Sequence, residues 1–259
     1  METYLNRNIR EIINEFPKVV DILNQYNIGC ITCALGTCPL KDIVDIHNLS
    51  LKDEAELFRR IADTIFPDKN VPIPVLSRKQ QSNDKKAKFS PPMKMLVNEH
   101  LLIKRLLELI PEISRTFDIE TQEHLNLINQ CVDFIRNYAD RFHHAKEEEI
   151  LFSYFDPNQE IIKSMLADHD TARTYIKNVV LGMETKNRIL VLDNLKAYGH
   201  LLTSHITKED EILYPWMDRQ LSDSQIGKIF SQFAEVDSFF GEKQNFYTQW
   251  VDGTEKKLK

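Results

Sequence analysis

Glycine is scarce in this chain, with seven scattered residues in 259. A phosphate or dinucleotide cradle and a turn-dense all-β fold both need residues that accept positive φ, so the scarcity argues against either. Cysteine is sparse too. Four thiols cannot staple a chain of this length, and three of them crowd between positions 30 and 38, which points to thiol chemistry instead. There is no basic excess: the net charge is −6 and the pI is near 5.8, so nucleic acid is not expected as a partner. No apolar run approaches the roughly eighteen residues that span a bilayer, and the opening METYLNRNIREI lacks the apolar stretch of a signal peptide. A cytoplasmic protein without membrane contact is the expectation.

What is present reads as helix. Five of the ten prolines fall between 66 and 92, in a stretch where neither a helical nor a strand period survives. This predicts a linker over 66–91 between a domain at 1–65 and a larger one at 92–259. The linker carries +4, the segments before and after it −3 and −7, as for a solvated, mobile tether. Before it, Ile9, Ile12 and Ile13, then Val19, Val20, Ile22 and Leu23, recur at helical spacing. After a cysteine-bearing loop, Pro39 to Ile46 and Lys52 to Ile65 read as two more helices, the last capped by Ser50. The result is a small all-α domain. Beyond the linker, period-3.6 patterns mark about 92–109, 121–153, 158–184 and 187–217, with an extra helix near 222–242. Four long helices with short connections predict an antiparallel four-helix bundle.

The chemistry lies in an internal repeat. HHAKEEEILF at 143–152 and HITKEDEILY at 205–214 superimpose at a constant offset of 62, pairing His143 with Glu147 and His205 with Glu209. Residues four apart share one helix face, so each copy presents an imidazole and a carboxylate together. One further histidine lies on each remaining long helix, His100 and His169. Four imidazoles and two carboxylates exceed what one tetrahedral zinc needs and suit two metals, with iron, manganese or zinc all compatible. Without a metal, two glutamates pointing into an apolar bundle are costly to keep ionised. His144 is the nearest competitor of His143, but lies about 100° away on an ideal α-helix. His47, His124 and His200 read as surface or satisfied polar groups, and Cys131 as a small core residue.

Glu99-His100, the HxxKEEEILF copy, DHDTAR at 168–173 and HITKEDEILYP together resemble the hemerythrin-like cation-binding family. The resemblance covers about 92–220. It implies a non-haem di-iron centre, bridged by Glu147 and Glu209, with His100, His143, His169 and His205 as terminal ligands. Oxygen-carrying members have a second histidine one turn before the one matching His169; here that position is Met165. They also use an aspartate that Asp210 could mimic, although Glu209 fits the repeat better.

The four-His, two-Glu set is similar to the RIC group, implicated in repair of iron centres after nitrosative or oxidative damage. Members also carry a small cysteine domain ahead of the bundle, and NQYNIGCITCALG followed by a helix and HNLS resembles it. Their thiols are adjacent, whereas here they are Cys30 and Cys33 with Cys38 beyond. Those three thiols suit a redox pair, metal transfer, a stable metal site or no chemistry at all. Three functions follow as expectations: repair or supply of iron to iron-sulfur clients, sensing of oxygen or nitric oxide, and di-iron peroxide or nitric-oxide chemistry.

Overall fold

The structure is a computed structural model that describes residues 1–26, 28, 38–69, 71–73, 76 and 89–258. Cys30, Cys33 and most of the expected linker lie outside these residues. The described chain is all-α, with no strand and only an isolated bridge between Asn8 and Pro39. It divides into two compact units, one of residues 1–88 with 211–220, the other of 89–210 with 221–259. The sequence placed everything beyond residue 92 in the bundle; residues 211–220 group instead with the N-terminal helices.

The first unit contains α1 (Glu2–Leu5), α2 (Ile9–Glu15), α3 (Val19–Asn24), α4 (Leu40–Ile46) and α5 (Leu51–Ile65). Ser50 caps α5 as expected, its hydroxyl accepting from the Asp53 amide at 3.1 Å. Ile9, Ile12, Val19, Leu40, Leu57 and Phe58 are fully buried, which is where the helical periodicity places them. The Ile9 amide donates to the Cys38 carbonyl and the Leu40 amide to the Arg7 carbonyl, tying the starts of α2 and α4 together. Cys38 is buried. α10 (Tyr214–Gln220) completes this unit: Trp216 Nε1 and Gln220 Nε2 donate to the Asp45 carboxylate at 3.1 and 3.2 Å.

The second unit is built on α6 (Pro91–Thr116), α7 (Gln122–Phe134), α8 (Glu160–Glu184) and α9 (Arg188–Lys208). Short connections and mutual packing of neighbours make this the expected bundle. α6 runs past the expected end at 109, through Pro111, because Ile110 and Ile113 continue its buried face. Gly182 and Gly199 let helices approach closely: a Cβ at 182 would lie 2.8 Å from Val191, and one at 199 would lie 3.2 Å from Ile110. Both chemistry-bearing helices change their winding. α7 continues as π-helix over Ile135–His144 and Lys146–Leu151, and α9 over Glu209–Leu213. The extra helix expected near 222–242 is α11 (Asp223–Phe240); a further helix that the sequence reading did not anticipate, α12 (Lys243–Leu258), follows Gly241, which takes a positive φ of 54°. Tyr247 and Val251 of α12 join the bundle core.

Candidate metal centre

α6 brings Glu99 and His100 to the middle of the bundle, α8 brings Asp168 and His169, and α9 with its π-helical continuation brings His205, Lys208, Glu209 and Asp210. The π-helical stretch after α7 supplies His143, His144, Lys146, Glu147 and Glu148. A π-helix closes each turn over more residues than the α-helix, so consecutive side chains diverge by less than 100°. His143 and His144 therefore both point inward, with exposures of 0% and 3%. This corrects the sequence expectation that only His143 shares the face of Glu147.

Two groups of buried side chains result. His144, Glu147, His169 and His205 form one, and His100, His143 and Glu209 the other; within each, the ligand-type atoms lie within 4.8 Å of one another. All six expected ligands, four from the repeat with His100 and His169, fall in these groups, and His144 is added to them. Cys38 belongs to neither group. The two glutamates lie between the groups. Glu209 Oε1 is 3.0 Å from His205 Nε2, while its Oε2 is 3.3 Å from His100 Nε2. Glu147 Oε2 is 3.7 Å from His143 Nε2 and 3.5 Å from His169 Nε2.

Behind these rings stands a ring of carboxylates that the sequence reading missed. His143 Nδ1 donates to Glu99 at 2.9 Å, His100 Nδ1 to Asp210 at 2.7 Å, His169 Nδ1 to Glu148 at 2.6 Å and His205 Nδ1 to Asp168 at 3.3 Å. A carboxylate ion only accepts, so it fixes the proton on Nδ1 and leaves Nε2 with its lone pair toward the centre. Each carboxylate is in turn held by a cation. Lys146 pairs with Glu99, Lys104 with Asp210 at 2.6 Å, Arg173 with Glu148 at 2.7 Å and Lys208 with Asp168 at 2.6 Å. Asp210, considered above as a ligand, instead orients His100. The signal was in the sequence as an acid beside four of the ligands: Glu99-His100, Asp168-His169, Glu147-Glu148 and Glu209-Asp210. Glu148 and Asp210 occupy matching positions in the two copies of the repeat, each accepting from the histidine of a neighbouring helix, so the two halves of the bundle are supported in the same way. His144 breaks the symmetry, because 62 residues later the chain has Ile206.

The donor set fits a metal on grounds internal to the structure. The Nε2 atoms of His169 and His205 are 2.9 Å apart. With both Nδ1 atoms protonated, two lone pairs face each other, an arrangement relieved only by a proton or a cation between them. Among the described residues, both Glu209 oxygens and His143 Nε2 are buried without a hydrogen-bond partner, as expected of atoms aimed at an ion. In the metal-free site the proton resides on His205: burial lowers its pKa, but the charge of Glu209 and the Asp168 hydrogen bond outweigh this and bring it to about 9. His169 moves the opposite way, well below its ordinary value, through burial and the positive charge of His144 and His205. Burial alone would raise Glu209, yet the positive charges of His205 and His100 hold it well below the usual carboxylate range.

Among the described residues, no helix is long and apolar enough to cross a membrane. No curated protein and no solved structure matches the chain. A family model does: the one described as the hemerythrin HHE cation-binding domain matches residues 92–217, a span that contains both buried groups and both copies of the repeat. Residues 92–217 are therefore a hemerythrin HHE cation-binding domain, with His and Glu clusters able to hold metal.

Proposed function

We propose that the protein holds two irons, one at each buried group with Glu147 and Glu209 between them, and supplies iron to iron-sulfur clients damaged by nitrosative or oxidative stress. The observation that carries this reading is the division of the Glu209 carboxylate between His205 on one oxygen and His100 on the other. A carboxylate so placed suits a pair of ions better than a single one. Iron held there supplies reversible redox and ligand-exchange chemistry.

The chain's own residues then set how firmly each ion is held. The four Nδ1-to-carboxylate bonds fix the imidazoles in place before any ion arrives. Four residues form one group and three the other, the difference being His144. The ion at His100, His143 and Glu209 is accordingly the exchangeable cargo, and Cys30 and Cys33 are the proposed thiols for its transfer in the cytoplasm. A second reading follows from the same asymmetry: the three-residue group leaves room for oxygen or nitric oxide, which makes a sensor.

The test combines metal analysis with repair. Purified protein should contain about two irons per chain, and a chelator should remove one faster than the other. Iron-loaded protein should reactivate an enzyme whose iron-sulfur cluster has been damaged, and Cys30→Ser with Cys33→Ser should lower that activity at unchanged iron content. A single tightly bound zinc with no iron would overturn the di-iron assignment. Oxygen or nitric-oxide binding without reactivation would favour the sensor.

A further inference from the structure

We infer that a pocket beside the four-residue group binds a small organic carboxylate that has an apolar body and an uncharged hydrogen-bond acceptor at its far end. The pocket, about 200 Å³, lies between the π-helical stretch, α8 and α9, and its lining includes His144, His169 and Tyr198. That volume suits one compact, single-ring molecule, and the lining combines apolar walls with a few placed polar groups.

Three features define the occupant. Tyr198 is 1% exposed, and its hydroxyl is buried without a hydrogen-bond partner among the described residues. Such a donor is unfavourable to bury alone and is satisfied by an acceptor on a ligand. Ile135, Ala172 and Ile176 line the same pocket and are buried, so the body that lies between them is apolar. Arg136, Arg141 and Lys177 also line it and are exposed, whereas the lining acid Asp140 is held by Arg173 at 2.8 Å. The uncompensated charge at the rim is positive. Guanidinium groups match a planar carboxylate with two parallel hydrogen bonds. An inorganic anion would satisfy the rim alone, leaving the apolar wall and Tyr198 unmet.

The experiment titrates the full chain by calorimetry, metal-free and iron-loaded, with 4-acetylbenzoate, benzoate, acetophenone and inorganic phosphate. 4-Acetylbenzoate should bind tightest, and in both forms, which separates this inference from the proposal about iron. Tyr198→Phe should weaken 4-acetylbenzoate about 3- to 10-fold and leave benzoate unchanged, the loss of one neutral hydrogen bond. Because it removes an unpaired buried hydroxyl, the variant should melt no lower than the parent. Arg136→Ala with Lys177→Ala should weaken both carboxylates roughly 10-fold and spare acetophenone. Absence of saturable 4-acetylbenzoate binding, binding indifferent to both variants, or phosphate binding as tightly would each overturn the assignment. So would binding that requires iron and ignores Tyr198.

Discussion

The ring of His144 lies flat on the ring of His169, with centroids 3.9 Å apart and planes 13° apart. The equivalent place in the other half of the repeat holds buried, apolar Ile206. One half of the centre therefore has a histidine that its counterpart lacks. His144→Ala should lower iron content from about two to about one per chain, because it strips one donor from the four-residue group. His143→Ala should also cost about one iron, from the three-residue group. Metal analysis of both variants decides between this geometry and an ideal α-helix, on which only the His143 change would matter.

The part of this site that was legible in the sequence is the part that obeys regular helical spacing. His143 with Glu147 and His205 with Glu209 repeat at an offset that no surface pattern requires, and the chain places both pairs in the bundle interior. His144 was illegible because its direction depends on π-helical winding, which arises from packing around the centre and leaves no local mark in the residues. The supporting acids were missed for another reason: Glu148 and Asp210 sit in charge-rich runs that read equally well as solvated faces. The helix expected near 222–242 is α11, but α12 beyond Gly241 was not anticipated, and its place is a tertiary outcome, Tyr247 and Val251 packing back on the core.

The carboxylates behind the imidazoles should set metal affinity from a distance. Glu99 and Asp168 occupy matching places, each accepting from a ligand-type histidine while held by the lysine of the repeat. Replacing either by its amide, Glu99→Gln or Asp168→Asn, keeps the shape but loses the charge that fixes the imidazole tautomer. Iron affinity should drop about 10- to 100-fold in each case, the usual effect of removing such a partner. Competition against a chelator of known strength measures it. Unchanged affinity in both would mean that the ring orientations are set by packing alone.

Lys146 tests the electrostatics of the same network. It is fully buried, pairs with Glu99, lies 2.8 Å from Asp237, and sits 3.9 Å from the centre of the Phe142 ring. Lys146→Met leaves a buried carboxylate without its cation and should destabilise the fold by about 3–5 kcal/mol at neutral pH or above. The loss should shrink as the pH falls. Burial already pushes Glu99 up to about 7 against the pull of Lys146, and without the lysine the folded state binds that proton still more readily. A group with a raised folded-state pKa favours the fold at low pH and loses that advantage as pH rises. Urea unfolding of metal-free parent and variant at pH 6 and pH 8 should show the smaller difference at pH 6.

The N-terminal unit carries its own acid sensitivity at His47. Burial, together with the positive charge of Arg219 in the same unit, lowers this imidazole from its ordinary 6.5 to about 4. Above pH 6.5 neither the folded nor the unfolded chain protonates His47, so it does not affect stability there. Between 6.5 and 4 the unfolded chain takes up a proton that the folded chain refuses, and stability falls as the solution is acidified. The full shift corresponds to about 1–3 kcal/mol once partial exposure is allowed for. His47→Asn removes the titrating group, so the variant should lose less stability than the parent between pH 7 and pH 4.5. Trp216 reports on this unit, and a Trp250→Phe background leaves it as the single tryptophan of the chain. Urea unfolding followed by Trp216 fluorescence should give converging parent and variant midpoints as pH falls; parallel curves would show that His47 titrates alike in both states.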